Sequence, residues 1–191
     1  AVLIFLNILS NSSFHIRPAQ LSDIPDILNI YSYHVLYGTA TFEEEVPSLE
    51  NMRNRFTQIT QASYPYIVAE ENGVVIGYAY LSSYRPRKAY RFTVEDSIYL
   101  HKDHLSKGLG SALLQRLIAE AEQGPWRLMI AVIGDSQNHG SIKLHEKLGF
   151  TLTGIEPASG YKFNRWIDTV LMYRPIGLGA TAPIDPHQQA Y

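Results

Sequence analysis

The 191-residue sequence predicts a single mixed α/β domain, and three observations carry that expectation. Apolar periodicity switches repeatedly between the helical period and the two-residue period of strands, in the order β-α-α-β-β-β-α-β-α-β-β. Hydrophobic residues at 46% against 18% charged give enough material for one core at this length. No internal repeat and no linker-like stretch divides the chain between its two ends.

The elements follow in order. His15–Pro18 reads as a short strand. Ser22 precedes a helical stripe of Ile24, Ile27, Leu28, Tyr31 and Val35 that ends at Gly38. Pro25 falls in its first turn, where a missing N–H costs little. A more polar helix fits Leu49–Ile59. YPYIVAE and VVIGYAYL, joined at Asn72-Gly73, form a hairpin signal, and FTVEDSIYL is a further strand. Gly108–Glu122 presents Leu109, Leu113 and Leu117 with Leu114, Ile118 and Ala121 on one helical face. LMIAVI is a buried strand, Ser141–Leu148 a short helix stopped by Gly149, and two more strands run through Met172. The domain is expected to occupy 14–174, with an N-terminal extension at 1–13 and a loose, Pro- and Gly-containing tail at 175–191. The opening AVLIFLNIL is too short to span a membrane and reads as an upstream extension or an extra strand.

Composition excludes several classes. With 16 basic and 18 acidic residues the formal charge is -2, so no basic footprint for nucleic acid exists. Cysteine is absent, which removes disulfides, thiolate nucleophiles and Cys-type zinc sites. The seven His lack ligand spacing, so no metal site is expected. No membrane segment is expected, and the default location is the cytoplasm.

HLSKGLGSALL stands between a strand and a helix. Gly108 and Gly110 let a ligand approach the backbone, and the helix start offers unpaired N–H groups and a positive dipole end. A P-loop string is missing, and the third position of a dinucleotide fingerprint is Leu113. The third phosphate reading is the pyrophosphate loop of a coenzyme A binder; the alternative is a tight strand-to-helix connection that binds nothing.

Taken together, RPRKAYRFTVEDSIYL, HLSKGLGSALL, MIAVIGDSQNHGSIKLHEKLGF and GYKFNRWIDTVLM resemble the GNAT N-acetyltransferase superfamily. More narrowly they resemble its phosphinothricin and methionine sulfoximine acetyltransferase branch, from about Phe14 to Arg174. The resemblance implies a central, mostly antiparallel sheet flanked by helices. It further implies acetyl-CoA as co-substrate, a small amino-acid-like amine as acceptor, and a homodimer. The loop motif of the superfamily begins with Gln or Arg, where this chain has Leu105; Lys107 is expected to add charge instead. Ser106, Lys107, Gly108, Leu109, Gly110 and Ser111 are the expected pyrophosphate cradle. Backbone groups of Ile98, Tyr99 and Leu100 are expected to meet the thioester and pantetheine, with Asn138 capping its helix, binding the pantetheine amide, or both.

With no cysteine a covalent acetyl-thioenzyme is excluded, so the acetyl transfer that the resemblance implies is expected to proceed by direct attack of the amine. Alternation places Thr93, Glu95, Ser97 and Tyr99 on one face of their strand, opposite Val94, Asp96, Ile98 and Leu100. A mid-strand Glu95 is expected to be the general base, as in the resembling branch; the alternative is a sheet residue paired with Arg91 or Arg165. Asp96 is expected to support loops or the sheet edge, and a strand bulge would slip this facing by one residue. His145 stands where the superfamily commonly has Tyr, and the resemblance implies contact with the departing thiolate or proton donation to it; the alternative is a satisfied structural histidine. Arg85, Arg87 and Arg91, with Tyr84 and Tyr90, read either as a solvated basic loop or as a clamp for the acceptor's anionic end, with Phe42 and Glu43 on the other wall. Lys162, Phe163, Arg165 and Trp166 serve either the pocket wall or a dimer contact. Acetylation of protein N-termini or other amines, and a non-catalytic coenzyme A-binding role, are the competing functions.

Overall fold

Seven strands assemble into one sheet in a computed structural model that describes residues 13–185. The apolar opening segment, and with it the expected extension or extra strand, lies almost entirely outside the described residues. In chain order the elements are β1 (His15–Pro18), α1 (Ile24–Tyr37), α2 (Leu49–Gln61), β2 (Tyr66–Glu71), β3 (Val74–Ser83), β4 (Thr93–Leu100), α3 (Leu109–Gln123), β5 (Leu128–Gly134), α4 (His139–Lys147), β6 (Thr151–Lys162) and β7 (Arg165–Pro175). This is the order read from the sequence.

Local chemistry explains the boundaries. Pro25 occupies the first turn of α1, and the Ser48 hydroxyl caps α2 by accepting from the Asn51 N–H at 3.1 Å. Asn72 and Gly73 both have positive φ, 52° and 79°, as the two-residue turn between β2 and β3 requires. Gly108 precedes α3 in the left-handed region at φ 78°.

Strand order is β1-β2-β3-β4-β5-β7-β6, and β4–β5 is the one parallel pair among the described strands. One face of the sheet packs on α3 and α4 through Val94, Met129, Ala131, Leu113, Leu114 and Leu117. The other packs on α1 and α2 through Ile24, Ile27, Phe56, Tyr66, Val68 and Tyr78. The β3–β4 register runs without a shift from Gly77↔Leu100 to Ser83↔Val94, so the possible bulge in β4 is absent and its alternation holds. Glu95, Ser97 and Tyr99 therefore face the α1/α2 side, and Asp96 and Ile98 the α3/α4 side.

The parallel pair is short. β4 and β5 register from Thr93↔Leu128 only as far as Asp96↔Ala131, although β4 continues to Leu100 and β5 to Gly134. Beyond that point the strands splay and open a gap through the sheet.

The stretch after Pro175, expected to be loose, is tied down as far as Pro183. Ile176 is buried, and the Arg127 guanidinium donates to the carbonyls of Gly179, Ala182 and Pro183 at 2.8, 3.3 and 3.2 Å. A lone Arg satisfying several backbone acceptors is invisible to composition, which is why the tail reads as unstructured.

Leu117 is 0% exposed at the centre of the α3 contact with the sheet. Leu117→Ala is expected to cost about 2–5 kcal/mol, read as a lower denaturant midpoint with an unchanged slope.

Candidate active site

The splay creates the principal cleft of the described residues, with a volume of about 730 Å³. It passes through the sheet and so has two sides. On the α3/α4 side it is lined by Asp96, Ile98, Leu100, Leu105, Ser106, Gly108, Gly110, Ser111, Asn138, Ser141, Leu144 and His145. On the α1/α2 side it is lined by His34, Ala40, Phe42, Glu95, Ser97, Tyr99, Val132, Gly134 and Thr169.

The first mouth suits a long, anionic, thin ligand. The first intrahelical bond near the start of α3 runs from the Ala112 N–H to the Gly108 carbonyl, so the amides of 109–111 have no partner within the helix. A Cβ at Gly110 would come within 3.2 Å of the Leu144 side chain, narrowing the wall between α3 and α4. The Asn138 side chain caps α4 by accepting from the Ser141 N–H at 3.2 Å while it also lines the cleft. Backbone donors at the loop, an apolar shaft between the splayed strands and the cleft's volume fit a pantetheine thioester with a pyrophosphate at its outer end.

Two carboxylates at the splay point sit in opposite surroundings. Glu95 makes no hydrogen bond or ion pair among the described residues. Arg91 instead stacks on Phe92 and Arg165 pairs with Asp135 at 2.7 Å, so neither neutralises it. Burial, helped by the negative charge of Asp96, raises the Glu95 pKa to about 7. Asp96 is no sheet-edge residue. It is buried beneath α4, where its Oδ2 lies 3.0 Å from His145 Nε2. His145 is likewise buried, and its Nδ1 donates to the Ser141 carbonyl at 2.7 Å. Burial opposes charge on the ring, but the Asp96 charge and these bonds prevail and raise its pKa. Both ring nitrogens are thus committed to acceptors, leaving no N–H free for a thiolate.

Other expected positions divide. Ile98, Tyr99, Leu100, Ser106, Gly108, Gly110, Ser111, Asn138 and Phe42 all line the cleft. Leu109 is instead buried in the core, as its place in the apolar stripe of α3 dictates. Lys107 does not line the cleft; its Nζ donates to the Asp103 carbonyl at 3.2 Å within its own loop. Arg85, Arg87 and Tyr90 also lie outside the lining. The Arg85 guanidinium stacks over the rings of Tyr84 and Tyr90, at 4.9 and 5.4 Å, in the β3–β4 connection.

Sequence reasoning passed over several lining residues. Lys143 and Lys147 are exposed on the cleft wall and form no ion pair among the described residues. Their i, i+4 spacing is legible, but lysines near a helix C-terminus are equally explained by the helix dipole. His34, whose Nε2 bonds the Leu100 carbonyl at 2.8 Å, offers no local signal at all.

Comparison with known proteins agrees with this geometry. The chain matches the acetyltransferase (GNAT) domain family over residues 16–171. It is 48% identical to phosphinothricin N-acetyltransferase of Alcaligenes faecalis, covering 91% of this chain and 88% of that one. It is 42% identical to the L-methionine sulfoximine/L-methionine sulfone acetyltransferase of Salmonella typhimurium, covering 82% of this chain and 91% of that protein. The crystal structure of a phosphinothricin acetyltransferase from Sinorhizobium meliloti in complex with AcCoA superposes with a TM-score of 0.90 at 46% identity, over 93% of this chain and 96% of that one. A seven-stranded sheet parted between β4 and β5, a glycine loop at one mouth and a half-buried, unpaired carboxylate at the other are the features of this chain that accompany those likenesses. The chain belongs to the GNAT acetyltransferase family.

Proposed function

We propose that the protein transfers an acetyl group from acetyl-CoA to the amino group of a small amino-acid-like acceptor of the phosphinothricin or methionine sulfoximine type. One observation carries the reading: an unpaired, half-buried carboxylate, Glu95, stands in a through-sheet cleft whose opposite mouth is a glycine loop with free backbone amides. Acetyl-CoA supplies an activated acyl carbon and a thiol leaving group, and ordinary thiols have a pKa of about 8.5.

Glu95 is the general base. Near neutral pH its carboxylate accepts a proton from the acceptor ammonium, directly or through one water, and frees the amine to attack. The α3 loop, with Gly108 and Gly110, holds the pyrophosphate through backbone N–H groups. The backbone of Ile98, Tyr99 and Leu100, released from β5, accompanies the pantetheine arm and the thioester. A thiolate of ordinary acidity needs little help to leave, so His145 is not required as its proton donor. His145 instead anchors Asp96, and Asp96 contributes to holding the proton on Glu95.

Lys143 and Lys147 take over the charge that Leu105 does not provide and Lys107 does not deliver, facing the coenzyme's phosphates from α4. Arg85 and Arg87 remain the cations of the β3–β4 connection, next to the end of β4 that carries Glu95. Closure of that connection over the acceptor would bring its anion to them. The protein works in the cytoplasm, where acetyl-CoA is available. It acts as a homodimer, with the exposed Tyr161, Phe163 and Trp166 at the β6–β7 tip as contact residues; Trp166 is 67% exposed.

Thiol release from acetyl-CoA, measured across a panel of amino-acid analogues, protein N-terminal peptides and simple amines, tests the assignment. Turnover confined to the zwitterionic analogues is the expected result, and the absence of thiol release with every amine would leave only a coenzyme A-binding role. Activity is expected to rise with pH through about 7 as Glu95 ionises. Glu95→Gln should lower kcat by about 10²–10⁴-fold at neutral pH, with a smaller deficit at alkaline pH.

A readout without turnover checks the same group. A carboxyl pKa raised from 4.5 to about 7 means that the folded chain holds the proton more tightly than the unfolded chain. Stability is therefore full below the lower value and lost as pH rises through the higher one. Glu95→Gln should escape that loss and exceed the wild type above pH 7 by on the order of 2–3 kcal/mol, measured by denaturant unfolding at acid and alkaline pH. For the coenzyme, Lys143→Met with Lys147→Met should weaken acetyl-CoA binding and flatten its salt dependence, measured by calorimetry.

A further inference from the structure

Lys162 is a buried cation to which the mechanism assigns nothing. It is 2% exposed, belongs to β6, and has no carboxylate partner among the described residues. Its Nζ donates to three backbone carbonyls instead: Gly38 and Thr41 at 2.9 Å each, and His34 at 3.4 Å. An ammonium has three donors, and three acceptors meet them. His34 and Gly38 lie at the C-terminal end of α1, whose partial negative charge offsets the buried cation. Burial lowers the pKa of the ammonium, while Glu43 and Glu44 act from farther off in the opposite sense.

These bonds fasten the connection that follows α1. Residues 38–42 run as a strap across the α1/α2 face of the sheet, on the side that Glu95 faces. The strap lies so close to β5 that a Cβ on Gly134 would come within 2.0 Å of the Thr39 carbonyl oxygen. Thr39 is also tied to Asp135 at 3.2 Å, and Thr41 to the Tyr31 hydroxyl at 2.8 Å. The strap ends in Phe42, whose ring rests on Gly160 of β6; a Cβ there would come within 2.3 Å of the ring. Phe42 and Glu95 line the same side of the cleft. From α1, then, His34 grips the end of β4 through the Leu100 carbonyl, and Lys162 grips the same turn from β6, so the two bonds bridge the parted halves of the sheet.

We propose that Lys162 is a positioning residue for the acceptor pocket: its buried ammonium pins the strap across the sheet and thereby fixes the Phe42 ring as the wall facing Glu95. The inference rests on reading the Glu95 side as the acceptor side. It separates the two substrates, because the bonds of Lys162 run to residues 34–41 and none runs to the α3 loop or α4, which line the coenzyme mouth.

The test compares Lys162→Met, Gly160→Ala and Phe42→Ala with the wild type. KM for a zwitterionic acceptor is read in the thiol-release assay, and acetyl-CoA affinity by calorimetry. Lys162→Met keeps the length of the side chain and removes its donors; Gly160→Ala moves the same ring with Lys162 intact and covers the case in which Lys162→Met does not fold. Both are expected to raise acceptor KM by about tenfold or more, with acetyl-CoA affinity within about twofold of the wild type. The double variant Lys162→Met/Phe42→Ala should be no worse than Phe42→Ala alone, because Lys162 acts through that ring. An unchanged acceptor KM in Gly160→Ala, an equal loss of coenzyme affinity, or full additivity in the double variant would overturn the proposal while leaving the acetyltransferase reading intact. A wild type that transfers to no amine would overturn both.

Discussion

The parting of β4 from β5 is the constraint on which the site depends. Paired strands satisfy each other's backbone groups and close the sheet, so a ligand passes through it only where pairing stops. Here pairing stops at Asp96↔Ala131. Because the two strands are parallel, their C-terminal ends reach the same rim, and each leads into a helix, α3 or α4. Two helix beginnings and two sets of released backbone groups therefore converge on one gap, as crevices at the carboxyl ends of parallel strands generally do. A gap of this kind would widen or collapse without a brace. His34 on Leu100 supplies one from the face opposite the helices.

Strand alternation then sorts the chemistry. Glu95 and Asp96 are neighbours in sequence, yet the pleat sends them to different faces and different fates. Asp96 meets His145 and becomes half of a buried ionic pair, while Glu95 meets no cation and is left with an elevated pKa. One carboxylate is bonded to a buried ring, and the other, without a partner, is poised near neutrality. Environment, and not residue type, divides the labour.

Most of the fold was legible in the sequence because it is written locally. Periodicity, the Asn72-Gly73 turn, Pro25 in the first turn of α1 and the stop at Gly149 each act within a few residues. Glu95 and the glycine loop were legible for the same reason, since a carboxylate in mid-strand and two glycines before a helix are local anomalies. The remainder depends on pairs far apart in the chain. His145 lies 49 positions from Asp96, and Lys162 lies 121 positions from Thr41. No pattern within either segment names its partner. Lys107 illustrates the converse. Its position in the loop promised a phosphate contact, but a flexible side chain took a nearer carbonyl.

The two-sided cleft also bears on how such enzymes diversify. The mouth proposed for the coenzyme is built from α3, α4 and backbone groups, whereas the side proposed for the amine is walled by a strap and a single aromatic ring seated on a glycine. On the proposed reading, mutations that reshape the strap would leave the coenzyme mouth in place, so a lineage could change its amine without first losing its acyl donor. Relatives named for phosphinothricin and for methionine sulfoximine, at 48% and 42% identity, fit such a history. The two glycines beneath the strap set its limit: either one, once replaced, moves the wall as a whole, so drift is channelled to residue 42 and its neighbours.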